Sequence, residues 1–135
     1  MIKEKTILIV EDEPVLIRAL EIRLVKSGFK VILTKDGKEG LEQSLTLHPD
    51  LILLDLVMPV MDGLTMLRKL REDDWGKKAE VFVLSNLSDE DKQVEATELG
   101  VENYLIKSDE SLENLVKIIK KRHKGPKRRD ILSRL

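Results

Sequence analysis

Carboxylates follow two of the most apolar segments of the chain. Residues 7–10 are followed by Glu11 and Asp12, and residues 51–54 are followed by Asp55. Short runs rich in Ile, Leu and Val are typical of buried parallel strands. Because ligands in open α/β sheets bind outside the carboxyl ends of the strands, these acids are expected to meet at one edge. Crowded carboxylates repel one another unless a divalent cation joins them, so the pattern predicts a metal site.

Two further apolar segments end in side chains that suit the same chemistry. Ser85 and Asn86 follow the fourth segment, and Lys107 follows the fifth. At one edge of a parallel sheet, three carboxylates, a hydroxyl and an ammonium would then face one another around one pocket.

Strand-like and helix-like segments alternate along the whole chain. Strands are predicted at 6–10, 30–34, 51–54, 80–84 and 102–106. The first helix is expected to open at Pro14 and to end at Gly28. Ser88-Asp89-Glu90-Asp91 is predicted to supply the N-cap and an acidic first turn of the fourth helix, and Ser108-Asp109-Glu110 to cap the fifth. Strict alternation predicts a parallel sheet with helices on both faces, joined by right-handed crossovers.

The composition excludes several kinds of site and favours one class of protein. The chain has 135 residues, 41% of them hydrophobic, and no cysteine, which excludes disulfides and thiolate metal sites. No apolar stretch is long enough to cross a membrane, and the first residues do not form a signal peptide. These features predict a cytoplasmic protein with no membrane association. His48 and His123 are both expected on the surface.

Charge is distributed unevenly. Residues 117–135 carry nine of the 24 basic side chains but only one of the 25 acidic ones. We therefore predict a domain over residues 1–123 and a basic C-terminal tail over 124–135.

The polar residues at the strand ends match one known family in order and spacing. From about residue 5 to residue 122 the chain resembles the CheY-like receiver domain of two-component response regulators. The matching residues are Glu11-Asp12, Asp55, Met58-Pro59, Asp62-Gly63, Ser85 and Tyr104-Leu105-Ile106-Lys107. The resemblance implies a flavodoxin-like three-layer sandwich, with a doubly wound five-stranded parallel sheet in the order 2-1-3-4-5, which is already described for this family.

The resemblance also implies a role for each residue of the site. Asp55 would accept a phosphoryl group, helped by Lys107 and Ser85. Mg²⁺, or Mn²⁺, would bind Asp12, Asp55 and the backbone carbonyl of Val57, with Glu11 acting through a water. Ser85 and Tyr104 would form the switch.

A receiver of this kind implies signalling partners. The phosphoryl group would come from a sensor histidine kinase or a histidine phosphotransfer protein. Phosphorylation would switch a surface of the fourth helix, fifth strand and fifth helix towards an unknown protein target, with dimerisation on activation as one outcome. The protein would not be an enzyme but a phosphoacceptor that assists its own phosphorylation and dephosphorylation. Both a stand-alone regulator and a receiver from a longer chain remain open.

Some positions depart from the family pattern. Ser108 stands where a proline is usual, so the Lys107–Ser108 peptide is expected to be trans. Asn86 replaces a small residue beside the phosphoryl site. Val57 and Leu87 are apolar where the family tunes attack by water, which predicts slow self-dephosphorylation. Asn86 and Ser108 keep open an alternative, a receiver-like interaction module that works without phosphorylation.

Other classes fit less well. A haloacid-dehalogenase-like phosphatase needs Asp-x-Asp after its first strand, whereas Asp12 is followed by Glu13 and Pro14. Neither a dinucleotide-binding glycine motif nor a P-loop is present. The basic tail could contact nucleic acid, but the acidic body disfavours it.

Overall fold

A computed structural model of the protein describes residues 4–86, 89–108 and 111–123. Strands and helices alternate along these residues. The strands are β1 (Thr6–Val10), β2 (Lys30–Thr34), β3 (Leu51–Leu54), β4 (Val81–Ser85) and β5 (Asn103–Ile106). The helices are α1 (Pro14–Lys26), α2 (Gly37–Leu47), α3 (Gly63–Glu72), α4 (Glu90–Glu98) and α5 (Leu112–Arg122), with a short 3₁₀ turn at Gly76–Lys78.

The five strands form one parallel sheet in the order β2-β1-β3-β4-β5, so the predicted fold is confirmed. Helices α1 and α5 cover one face of the sheet, and α2, α3 and α4 cover the other. The result is a three-layer sandwich in which the carboxyl ends of all five strands point the same way.

The side chains of the central strands alternate between the two apolar layers. In β1, Leu8 and Val10 pack under α2 and α3, while Ile7 and Ile9 pack under α1 and α5. All four are at most 1% exposed. Because both faces of the sheet are covered, every residue of such a strand is apolar, which explains the uninterrupted runs in the sequence.

The strand limits agree closely with prediction. β1, β2 and β3 have the predicted bounds, whereas β4 is displaced by one residue and β5 begins one residue later. The last residue of β4 is therefore Ser85 itself, which draws this hydroxyl into the buried sheet.

The helix caps only partly follow the sequence prediction. Ser111 caps α5 by accepting the Asn114 N–H at 3.1 Å, so the prediction of Ser108 as the cap was wrong. Ser108 instead lies in the turn that follows β5. Asp89 caps α4 and Glu90 and Asp91 make its first turn acidic, as predicted, whereas Ser88 of the same segment lies outside the described residues.

One of the two histidines is buried, contrary to prediction. His123 is 6% exposed and lies one turn beyond Ile119, on the buried side of α5. Its Nε2 lies 3.0 Å from Oε2 of Glu80, which is ion-pair distance but not hydrogen-bond geometry. His48 is exposed as predicted, and its ring stacks on Trp75 at a centroid distance of 4.3 Å.

Within the described residues, no helix is both long and apolar enough to cross a membrane. The predicted division at residue 123 stays a prediction, since the basic tail over 124–135 lies outside those residues.

Candidate functional site

Backbone hydrogen bonds extend the sheet one residue past the strands and so position the polar side chains. The Glu11 N–H donates to the Thr34 carbonyl at 3.1 Å, and the Asp55 N–H donates to the Val10 carbonyl at 3.0 Å. The Lys107 N–H donates to the Ser85 carbonyl at 2.9 Å. Each functional side chain therefore starts from backbone that belongs to the rigid sheet rather than to a free loop.

The predicted acids meet at this edge of the sheet. Glu11, Asp12 and Asp55 each place a carboxylate oxygen within 4.8 Å of those of the other two. Glu11 is 3% exposed and Asp55 is 5% exposed, whereas Asp12 is open to solvent. They line an open cavity of about 440 Å³ together with Val57, Ser85 and Lys107.

Lys107 supplies the positive charge that this cluster requires. Its Nζ lies 2.9 Å from Oε1 of Glu11, 3.1 Å from Oδ2 of Asp55 and 3.3 Å from Oε2 of Glu13. The lysine side chain is only 12% exposed, so solvent screens these contacts weakly.

Both carboxylate oxygens of Asp55 have defined donors. Oδ1 accepts the Ser85 hydroxyl at 2.9 Å and the Val57 N–H at 3.1 Å, and Oδ2 accepts from Lys107. These bonds hold the carboxylate in one orientation. Asp55 is thus buried and oriented, and it still lines the cavity.

The pKa values of the neighbouring groups reflect burial and crowding. Burial raises the pKa of Glu11 from 4.5 to about 7, and the nearby Asp55 adds to the rise, while Lys107 opposes it. Burial lowers the pKa of Lys107, but its hydrogen bond to Glu11 and the charges of Asp55 and Glu11 outweigh burial and raise it overall. The cluster of acids therefore carries more negative charge than Lys107 alone neutralises, and a bound divalent cation would offset the excess.

The donor set fits a hard divalent cation. Carboxylates and a backbone carbonyl offer only oxygen, which Mg²⁺ prefers, and one or two carboxylates suffice for it. Asp12 and Asp55 meet that requirement, and Val57, which is 61% exposed, lines the same cavity.

The loop between β3 and α3 is held close against Asp55 by a glycine. A Cβ on Gly63 would lie 2.3 Å from the Asp55 carbonyl oxygen and 2.7 Å from the Leu56 Cα, both of which are backbone atoms. The Gly63 N–H donates to the Leu56 carbonyl at 2.9 Å. In the same loop, Val60 has a φ of 66°, a value that a β-branched residue rarely adopts.

Tyr104, the predicted switch residue, lies on β5 opposite Val83 and is only partly buried. Its side chain packs against the core layer that contains α3 and α4. Burial raises the pKa of its phenol, and the charges of Asp55 and Asp89 add to this. The phenol therefore lies within electrostatic reach of Asp55, on the side of the sheet that α4 covers.

Two of the departures from the family pattern, Val57 and Asn86, line the cavity. Asn86 is exposed and lines the cavity beside Ser85. The Lys107–Ser108 peptide is trans, as predicted, since the described residues contain no cis peptide. Leu87, named with Val57 in the prediction of slow dephosphorylation, lies outside the described residues.

Glu13 is a member of the site that sequence reasoning missed. It touches Lys107 across 94 positions of sequence, and only the fold brings the two together. The one available signal was its place directly after Glu11 and Asp12, at the same strand end.

Comparison with known proteins agrees with this geometry. A family model described as the response regulator receiver domain matches residues 7–120. Response regulator ArlR of Staphylococcus aureus (strain Mu50 / ATCC 700699) is 35% identical over 112 residues, which are 83% of this chain and 50% of ArlR. The chain spans about half the length of the curated relatives it matches.

Two solved structures with 33% and 27% sequence identity to this chain share its fold. The phosphorylated cyanobacterial phytochrome response regulator RcpA superposes with a TM-score of 0.75 at 33% identity, over 88% of this chain and 91% of that one. The receiver domain of sensor histidine kinase PA1611 from Pseudomonas aeruginosa PAO1 has a magnesium ion coordinated in its active site cleft. It superposes with a TM-score of 0.77 at 27% identity, over 88% of this chain and 97% of that one.

Proposed function

This chain belongs to the response regulator receiver domain family of two-component signalling, and from that premise we propose that Asp55 accepts a phosphoryl group. The single observation that supports this most is the environment of its carboxylate. Asp55 is 5% exposed yet faces the cavity, with Ser85 and Lys107 on its two oxygens. A residue that only ended a strand would need neither partner.

The proposed step is a phosphoryl transfer from a phosphohistidine or a small acyl phosphate. An Asp55 oxygen forms a new P–O bond, while the bond from phosphorus to the donor breaks and the donor keeps the electron pair. Lys107 balances the charge on the phosphoryl oxygens, and the Ser85 hydroxyl is positioned to donate to one of them. The Val57 N–H, already directed at Asp55, keeps the carboxylate oriented.

We propose Mg²⁺, or Mn²⁺, as the cofactor, held by Asp12, Asp55 and the Val57 carbonyl, with Glu11 acting through a water. The cation, when bound, would neutralise charge on the acids and on the incoming phosphate. The acidic cluster and its oxygen donors support this assignment. A magnesium ion occupies the cleft of the PA1611 receiver domain, and a manganese-bound form of response regulator Rcp1 is also known.

The partners follow from the family. We propose a sensor histidine kinase or histidine phosphotransfer protein as donor and an unidentified protein as target. We propose that Ser85 and Tyr104 form the switch that couples phosphorylation to a surface of α4, β5 and α5. The protein would not be an enzyme acting on a separate substrate, but would assist its own phosphorylation and dephosphorylation. Dimerisation on activation, a cytoplasmic location and the absence of nucleic-acid contact stay predictions.

The test is intact-protein mass after incubation with acetyl phosphate, with Mg²⁺ or with chelator. The wild type should gain one phosphoryl group only with Mg²⁺, and Asp55→Asn should gain none. Asp74→Asn is the matched control, because that side chain is fully exposed at the surface. Equal labelling of Asp55→Asn would refute the assignment, and no adduct in the wild type would favour the phosphorylation-independent module.

A further inference from the structure

Lys107 binds three carboxylates that differ greatly in exposure. Glu11 and Asp55 have side chains 4% and 6% exposed, whereas that of Glu13 is 56% exposed. The Glu13 contact is also the longest, at 3.3 Å against 2.9 Å and 3.1 Å. Glu13 is therefore the partner that water can most easily replace.

An ammonium group has three N–H donors, and the three carboxylates match that number. Any anion that reaches Lys107 must take the place of one of them. Glu11 would lose a buried hydrogen bond, and Asp55 is the acceptor itself. Glu13 can withdraw into solvent at the smallest cost in desolvation.

The backbone places Glu13 for this contact. Glu13 stands at the N-cap position of α1, yet its side chain makes no capping hydrogen bond. Its N–H donates to Oε1 of Glu11 at 3.2 Å, which fixes the residue beside the acidic cluster. The side chain is thus turned away from its own helix and towards Lys107.

We propose that Glu13 is a positioning residue that holds Lys107 at rest and gives up its place to a phosphoryl oxygen. This inference rests on the proposed function of Asp55. It makes Glu13 a competitor of the incoming phosphoryl group for the same ammonium. Removal of that competitor should help the donor to react without altering the acceptor.

The test is the rate of phosphorylation by acetyl phosphate and Mg²⁺ as donor concentration is varied. Glu13→Gln keeps the size of the side chain and removes its charge, which leaves a neutral amide oxygen that holds the Lys107 ammonium more weakly than a carboxylate does. We expect it to raise the rate at limiting donor about two- to fivefold, the range of a half-exposed ion pair, with the rate at saturating donor unchanged. Added salt should narrow the difference, because it screens the exposed carboxylate. Glu42→Gln, on the exposed side of α2, is the matched control and should behave as wild type.

A second variant separates contact from overall charge. Glu13→Asp keeps the charge but is one methylene shorter, so it cannot reach Lys107 and should also raise the rate at limiting donor. If the rate rose in Glu13→Gln but not in Glu13→Asp, the charge of Glu13 would matter and its contact with Lys107 would not, which would overturn the proposal. Rates equal to that of the wild type in both variants would overturn it as well. If neither the wild type nor any variant formed an adduct, both the proposed function of Asp55 and this inference would be refuted.

Discussion

Glu11→Gln should make the metal-free protein more stable at neutral and alkaline pH. The folded-state pKa of Glu11 is about 7, above its usual value of 4.5, chiefly because the carboxyl is buried. A folded protein that binds a proton more tightly than the unfolded chain loses stability as the pH rises between those two values. Glutamine resembles the protonated carboxyl and can still accept from Lys107, so the variant escapes this loss.

The magnitude follows from the two pKa values. A difference of about 2.5 between 7 and 4.5 corresponds to about 3 kcal/mol at full effect. Part of this stabilising free energy is already lost at pH 5, where the Glu11 carboxyl is mostly ionised in the unfolded chain. The stability gained by Glu11→Gln should thus be about 2 kcal/mol larger at pH 8 than at pH 5. At about 3 °C per kcal/mol, Tm should respond by about 6 °C.

The assay is thermal unfolding in chelator at both pH values, with Glu42→Gln as the matched control for loss of one surface charge. Mg²⁺ should raise the Tm of the wild type at pH 8, since a ligand that binds only the folded state stabilises it. The reasoning would be refuted by a Glu11→Gln variant that is less stable than wild type at pH 8, or whose gain is the same at both pH values.

Further predictions concern the loop beside Asp55 and the end of α3. Gly63→Ala should destabilise by about 1–3 kcal/mol and lower phosphorylation, because its Cβ would meet backbone atoms; calorimetry and the mass assay test this. Val60→Asn should stabilise by about 1 kcal/mol in urea unfolding, because asparagine tolerates a φ of 66°; an unchanged midpoint would contradict it. Arg71→Lys should cost about 2–4 kcal/mol, since the guanidinium donates to the carbonyls of Leu99, Gly76 and Ala79 at 2.6–2.8 Å. The apolar Val57 predicts a slowly lost phosphoryl group, and loss within seconds by intact mass would disagree.

The local sequence pattern predicted most of the fold. The apolar runs at β1 and β3 predicted buried parallel strands because only a strand covered on both faces tolerates apolar side chains at every position. Alternation of strands with helices then left few parallel topologies. The strand order itself came from the resemblance, since spacing alone does not order parallel strands.

The errors lie where three-dimensional packing outweighs local signals. Ser108-Asp109-Glu110 was predicted to cap α5, but Ser111 is the residue whose hydroxyl lies where it can accept the Asn114 N–H. His123 was also expected on the surface. Its spacing from Ile119 places it on the buried side of α5, against Glu80.

The sequence by itself determined which groups stand at the carboxyl ends of the strands, because each polar residue directly follows an apolar run. Only the tertiary structure decided their distances and their burial. Burial and the charge of Asp55 raise the pKa of Glu11, and the contact of Glu13 with Lys107 joins residues 94 positions apart. Electrostatic energies depend on separation in space and on exclusion of water, and neither is written in the order of residues along the chain.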